Sequence, residues 1–170
     1  MVLTAVGPDR PGLVQEISRA IHDSGANLED SRMAILGGEF ALILLFSGAR
    51  DAVDQVADRS RALERGLGLR FSLHETKPSL SRQSFLPYRL RVSGFDVPGI
   101  VASVSAVLAQ RGVNVASLES RVQNAPLSGT PLFVLNAEIQ VPSEVAVSAL
   151  RKELATVCDE KNLDFLLEAA

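Results

Sequence analysis

Tryptophan is absent from this 170-residue chain, tyrosine and cysteine each occur once, and aromatic residues make up only 5%. A core must therefore be assembled from Val, Leu, Ile and Ala, which supply most of the 46% hydrophobic content. The lone Cys158 excludes an internal disulfide and a cysteine-based metal cluster. Neither sign of charge dominates: 17 basic against 20 acidic residues leave a net charge of −3, which gives no long-range attraction to phosphate backbones. Direct nucleic-acid binding is not expected, and any role on DNA would need a protein partner. Apolar runs stay well short of the roughly 18 residues of a membrane span, and the chain opens on the strand-like Met1–Val6 rather than a signal peptide. A cytoplasmic location with no membrane attachment is the expectation.

Catalytic groups are equally scarce. His22 and His74 are the two histidines, one on a helix flank and one near a strand end, with no nucleophile spaced around either as a triad requires. Carboxylates show no metal-ligand pattern, and no G-x-G-x-x-G or G-K-[ST] loop is present. The chain reads as non-enzymatic, with no metal and no cofactor.

What the chain does have is a repeat. Gly7-Pro8-Asp9-Arg10-Pro11-Gly12 returns as Gly94-Phe95-Asp96-Val97-Pro98-Gly99, with Pro98 placed 87 residues after Pro11. Both stretches separate a short apolar run from an amphipathic one, and both read as helix starts, with the Asp as cap and the Pro where a missing amide is tolerated. Glycine in a first turn costs roughly 0.5–1 kcal/mol relative to alanine. Two readings stand: a tight strand-to-helix turn, or a backbone that a small anionic ligand approaches closely.

In chain order, residues 2–6 read as a buried strand. A helix follows with Leu13, Ile17, Ala20 and Ile21 on one face, stopped by Gly25. Strands at 27–36 and 40–46 flank a Gly37-Gly38 turn, and the second of them is apolar enough to be buried on both faces. A helix at 51–66 and a strand at 69–75 close the unit. Residues 77–87, rich in Pro and Ser, read as a linker between a first domain at 1–76 and a second at 88–170. The second domain repeats the order: a strand at 88–94, a helix with Val101, Val104, Val107 and Leu108 inward, and strands at 114–123 and 132–141. Its last helix is opened by Pro142-Ser143-Glu144 and carries Cys158 in its core stripe, before a strand at 163–167. The fold class is α+β. Each half is a ferredoxin-like βαββαβ unit, an antiparallel four-stranded sheet with both helices on one face. The other face is left open and partly apolar, which favours association of such units.

Aligned at the repeat offset, Leu3, Gly7, Asp9, Pro11, Gly12, Val14, Gly25 and Asn27 coincide with Leu90, Gly94, Asp96, Pro98, Gly99, Val101, Gly112 and Asn114. The chemistry suits a free amino acid: amides of Gly12 and Leu13 for its carboxylate, Asp9 for its ammonium, and an Asn amide for either. The competing reading makes Asp9 and Asp96 N-caps and gives Asn27 and Asn114 left-handed turn conformations. Helix start and helix end lie at opposite ends of one domain, so Asn27 joins Asp9 only if another unit supplies one of them. A second echo, Asp30-Ser31-Arg32 against Glu119-Ser120-Arg121, is displaced by two residues and marks the open sheet face or its edge.

Gly7–Val14, then Gly25-Ala26-Asn27-Leu28-Glu29-Asp30-Ser31-Arg32-Met33 and Gly37-Gly38-Glu39-Phe40, resemble an ACT domain. Two such stretches in tandem resemble the glycine cleavage system transcriptional repressor family. The resemblance implies an amino-acid-responsive regulator whose domains pair through sheet edges or helices and bind an amino acid at the interfaces. Its implied ligand positions are Asp9, Gly12 and Asn27, with Asp96, Gly99 and Asn114 in the second unit. Pro11, Leu13, Pro98 and Ile100 adjoin them in the two corners. Implied partners are a small amino acid, with glycine a candidate, a second copy of the chain through sheet edges or open sheet faces, and a DNA-binding transcription factor. The alternatives are an allosteric subunit of a metabolic enzyme and a ligand-free dimerisation module. Similar modules front formyltetrahydrofolate deformylases and phosphoserine phosphatases, whose catalytic domains have no counterpart in this sequence. Val97 in place of Arg10 sets the second copy apart.

Overall fold

A computed structural model describes residues 1–76, 84–125 and 129–170 of the chain, which forms two compact units. The first contains β1 (Val2–Pro8), α1 (Leu13–His22), β2 (Asn27–Leu36), β3 (Glu39–Ser47), α2 (Arg50–Leu67) and β4 (Arg70–His74). The second contains β5 (Phe85–Phe95), α3 (Ile100–Gln110), β6 (Asn114–Asn124), β7 (Pro131–Pro142), α4 (Val147–Glu160) and β8 (Leu163–Ala169). Strand orders are β2-β3-β1-β4 and β6-β7-β5-β8, antiparallel throughout, so each unit is the expected βαββαβ sheet with its first strand central. In each, the two helices pack on each other and on one sheet face. No helix among the described residues is long and apolar enough to cross a membrane.

Strand alternation builds the cores. Leu3 and Ala5 on β1 lie beside Leu44 and Leu42 on β3, and with Phe40 and Phe46 they meet Leu13, Ile17 and Ile21 of α1 and Val56 of α2. In the second unit Leu90, Val92, Leu135, Ala137 and Ile139 meet Val104, Leu108, Leu150 and Leu154. Cys158 is fully buried in that core, as its helical spacing predicts, and burial pushes its thiol pKa up, with Asp159 and Asp164 adding to the shift. His22 and His74 are both exposed.

Several boundaries differ from the expectation. Strand β5 begins at Phe85, where the expected linker was still running; residues 77–83 of that linker and 126–128 of the long hairpin loop lie outside the described residues. Pro142 ends β7 rather than opening α4, which starts only at Val147 after a turn closed by the Val145 N–H to Pro142 C=O bond at 2.9 Å. On α3 it is Ile100 that turns inward, at 2% exposure, while Val101 stays at 37%. The apolar strand β3 is buried on its helix side alone; on the other side Ile43 keeps 49% of its surface.

Both edge strands carry a bulge at the same aligned place. The register of β2 on β3 shifts between Leu28 and Asp30, and that of β6 on β7 between Val115 and Ser117. One extra residue inverts which face the neighbouring side chains reach. Leu28 thus pairs with Phe46, on the helix side, while Asp30, two residues on, pairs with Leu45 on the open side.

Candidate functional site at the strand-to-helix corners

In each unit the first strand runs into its helix through the repeated corner, and the backbone there explains the glycines. Gly12 and Gly99 are the N-cap residues of α1 and α3, with φ of 96° and 84°. This left-handed region costs an L-residue roughly 1–2 kcal/mol and glycine little, so conformation alone requires glycine at both. Neither helix has a side-chain cap bond, which removes Asp9 and Asp96 from the capping role. The first helical bonds run from the Glu16 N–H to Gly12 C=O (2.9 Å) and from the Ser103 N–H to Gly99 C=O (3.0 Å). The amides of Leu13 and Val14, and of Ile100 and Val101, precede those bonds and face outward from the helix start. Leu13 and Ile100 offer only these amides, since their side chains are core.

The other repeated glycines serve packing. A Cβ on Gly7 would lie 2.9 Å from Gly68 O, and one on Gly94 would lie 2.6 Å from Leu163 Cδ2 and 3.0 Å from Asn162 O. These positions let the first strand pass close to the turn that enters the last strand, which is a reason internal to the fold.

The corner of the first unit opens on a depression of about 570 Å³. Asp9, Arg10, Pro11, Gly12 and Leu13 line one side of it, and Met33, Ile35 and Phe40 the other. The Asp9 N–H donates to Gly38 O at 2.9 Å, tying the corner to the β2–β3 hairpin. Over Gly12, where a Cβ would lie 3.4 Å from Glu16 Oε1 and 3.8 Å from Arg10 Nη1, the Arg10 guanidinium donates from Nη1 to Glu16 Oε1 at 2.7 Å and to Pro11 O at 3.2 Å. That bond from Arg10 is the main cause holding the Glu16 carboxyl below its usual range, and it raises the Arg10 pKa in turn. A carboxylate therefore already sits beside the first turn, where an anion is favoured. Glu16 escaped the sequence reading; the signal was an acid in the first turn paired with a base just outside it.

The second corner is built on the same backbone without these charges. Val97 replaces Arg10 and Ser103 stands where Glu16 does, while Asp96, Pro98 and Gly99 are exposed.

Within their own units, Asn27 and Asn114 are not brought to the corners. Asn27 begins β2 opposite Ser47, while the corner meets the far end of that strand, about 30 Å away at the usual rise per residue. The two also lie on different faces: the bulge puts Asn27 on the open side with Ser47, whereas Met33 and Ile35 beside the corner are on the helix side, across from Leu42 and Phe40. Asn114 likewise pairs with Gln140, donating from Nδ2 to Oε1 at 2.8 Å. Both are regular strand residues; among the described residues Asn162 is the non-glycine with positive φ, so the left-handed reading of Asn27 and Asn114 is wrong.

The ACT domain family model matches residues 1–74, and a second ACT domain model matches residues 88–155. Along most of its length the chain is similar to the glycine cleavage system transcriptional repressor of Escherichia coli (strain K12), 28% identical over 162 residues that cover 95% of this chain and 85% of the relative. Among solved structures, a protein of unknown function from Galdieria sulphuraria is 33% identical with a TM-score of 0.82, covering 99% of this chain and 96% of the other. A structure provisionally assigned as a glycine cleavage system transcriptional repressor is 28% identical with a TM-score of 0.73, covering 99% and 95%.

Proposed function

The chain belongs to the ACT domain family, with two such domains in tandem, and on that premise we propose that it is a non-catalytic regulator that binds a small amino acid at the first-unit corner. The ligand's carboxylate takes the Arg10 guanidinium and the outward amides of Leu13 and Val14. Its ammonium takes Glu16 and Asp9. Binding opens the Arg10–Glu16 pair and replaces each partner by an opposite charge of the zwitterion, so no charge is left unmatched. The observation that carries this reading is that pair, seated over Gly12 at the helix start and beside the depression that Arg10 and Gly12 line. Three or four charge-assisted bonds at roughly 1.5–3 kcal/mol each offset ordering costs and leave the micromolar to millimolar affinity a metabolite sensor needs.

The repressor similarity over nearly the whole chain supports a regulatory role and makes glycine the first ligand to try. We place the protein in the cytoplasm, acting on a DNA-binding transcription factor by protein contact, because a net charge of −3 gives it no attraction to DNA itself. The test is a thermal-shift screen of the full chain against the twenty amino acids. A binding ligand at a hundredfold excess over Kd stabilises by about 2.7 kcal/mol, and a screen in which no amino acid moves the melting transition overturns the sensor reading. Recovery of a transcription factor, rather than a metabolic enzyme, in a pull-down tests the choice of partner.

A further inference from the structure

We infer that the open sheet face of the first unit is an interface with the same face of a second copy of this chain. The antiparallel register lays that face out in three rows across β2, β3, β1 and β4: Asp30, Leu45, Val2, His74; then Arg32, Ile43, Thr4, Ser72; then Ala34, Ala41, Val6, Arg70. Its two central columns hold no charge. Leu45, Val2 and Ile43 floor a depression of about 780 Å³ walled by Asp30 and Arg32, and Ile43 and Val6 are 49% and 44% exposed. Charged groups stand only on the outer strands, which is the layout of a buried patch with a polar rim.

The rim selects the occupant and its orientation. Sheets stacked face to face keep their strands aligned to within about 30°. With the two-fold axis parallel to the strands, β2 of one copy lies over β4 of the other and each row faces its own equivalent. Asp30, which accepts from Arg32 Nη1 of its own strand at 2.7 Å, then meets the partner's His74, Arg32 meets the partner's Ser72, Ala34 meets the partner's Arg70, and the apolar columns cover one another, Leu45 on the partner's Val2. No like charges meet at either rim. With the axis across the strands, Arg32 would face the partner's Arg32, which is repulsive. The second unit's equivalent face is excluded by its composition: Arg89 and Arg91 on the central strand lie beside Glu138 and Asn136, and burying those charges costs more than their pairing returns.

Sedimentation of the full chain over a concentration series tests this. Wild type is expected to dimerise reversibly, Ile43→Lys to raise the dimer dissociation constant at least tenfold, and the matched Leu166→Lys on the second unit's face to leave it unchanged. Asp30→Lys should weaken the dimer, and adding His74→Glu, which sets an acid opposite the new lysine across the interface, should recover it. A wild type that stays monomeric, a dimer indifferent to Ile43→Lys, a double variant no tighter than Asp30→Lys alone, or assembly only with a different protein each overturns the proposal. None of these outcomes bears on amino-acid binding at the corner, which the thermal-shift screen reads separately.

Discussion

The two halves share a backbone and differ in what they show to water. The first unit has a charged helix, α1, with Glu16 and Arg19 outward, and a sheet face whose two central strands carry no charge. The second reverses this: α3 carries no charged residue from Ile100 to Gln110, while its sheet face presents Arg89, Arg91, Glu119, Glu138 and Glu168. Since the cores use the same alternation, these surfaces rather than the fold separate the roles of the halves. A shared frame fixes where a corner or a face lies, and a handful of side chains decides whether anything binds there.

The sharing of the frame can be broken first, with the largest effects. Phe46→Ala in the first core and Leu135→Ala in the second, both fully buried, should cost about 3–5 and 2–5 kcal/mol in urea unfolding. Gly7→Ala and Gly94→Ala should each cost about 1–3 kcal/mol, because both new methyl groups meet the entry to the last strand. A large penalty in one half with none in the other would mean that the halves are not held alike.

The difference between the corners is sharpened by moving the ion pair. Arg10→Ala or Glu16→Gln should weaken the amino acid found by the screen at least tenfold in calorimetry with the melting point of the free protein nearly unchanged, since both side chains are exposed. Val97→Arg with Ser103→Glu transplants the pair, and the expected result is a second binding event per chain.

The smallest effect is in acid. Glu16 and Glu153 are both held below the ordinary carboxylate value, each chiefly by its arginine hydrogen bond, from Arg10 and Arg111 respectively. A depressed folded pKa contributes stability that is present above the unfolded value and lost as pH falls through the folded one. Glu16→Gln and Glu153→Gln should therefore narrow the gap to wild type as pH drops below about 4.5, the unperturbed value, when melting is followed against pH. The exposure of both pairs keeps the change small.

Much of the architecture was legible in the sequence because it rests on period and punctuation: helical spacing at Leu13, Ile17 and Ile21, the Gly37-Gly38 hairpin, and a repeat that counts the units. The corner was located by the same repeat, but the two readings of its glycines could not be separated there. The sequence marks Gly12 and Gly99 as special without saying that φ is positive there, so a conformational need and a ligand's look alike. Asn27 enters the candidate set by its position in the repeat; its separation from Asp9 by end follows from helix geometry alone, and the register adds the separation by face. Glu16 was passed over because a first-turn acid is ordinary on an exposed helix; its partner Arg10 lies outside the helix, beyond the i, i+4 spacing that would have flagged the pair.

The matched irregularities at Glu29 and Ala116 reach back further than any of these surfaces. An extra residue in an edge strand gives up a ladder bond and has to be accommodated by its neighbours, so two independent insertions at one aligned position are a poor explanation for both. The simpler history is that a half-length ancestor already had the kink before its gene doubled. On that history the charges at the first corner and the uncharged centre of the first sheet face record divergence after duplication, written onto a strand whose shape was inherited whole.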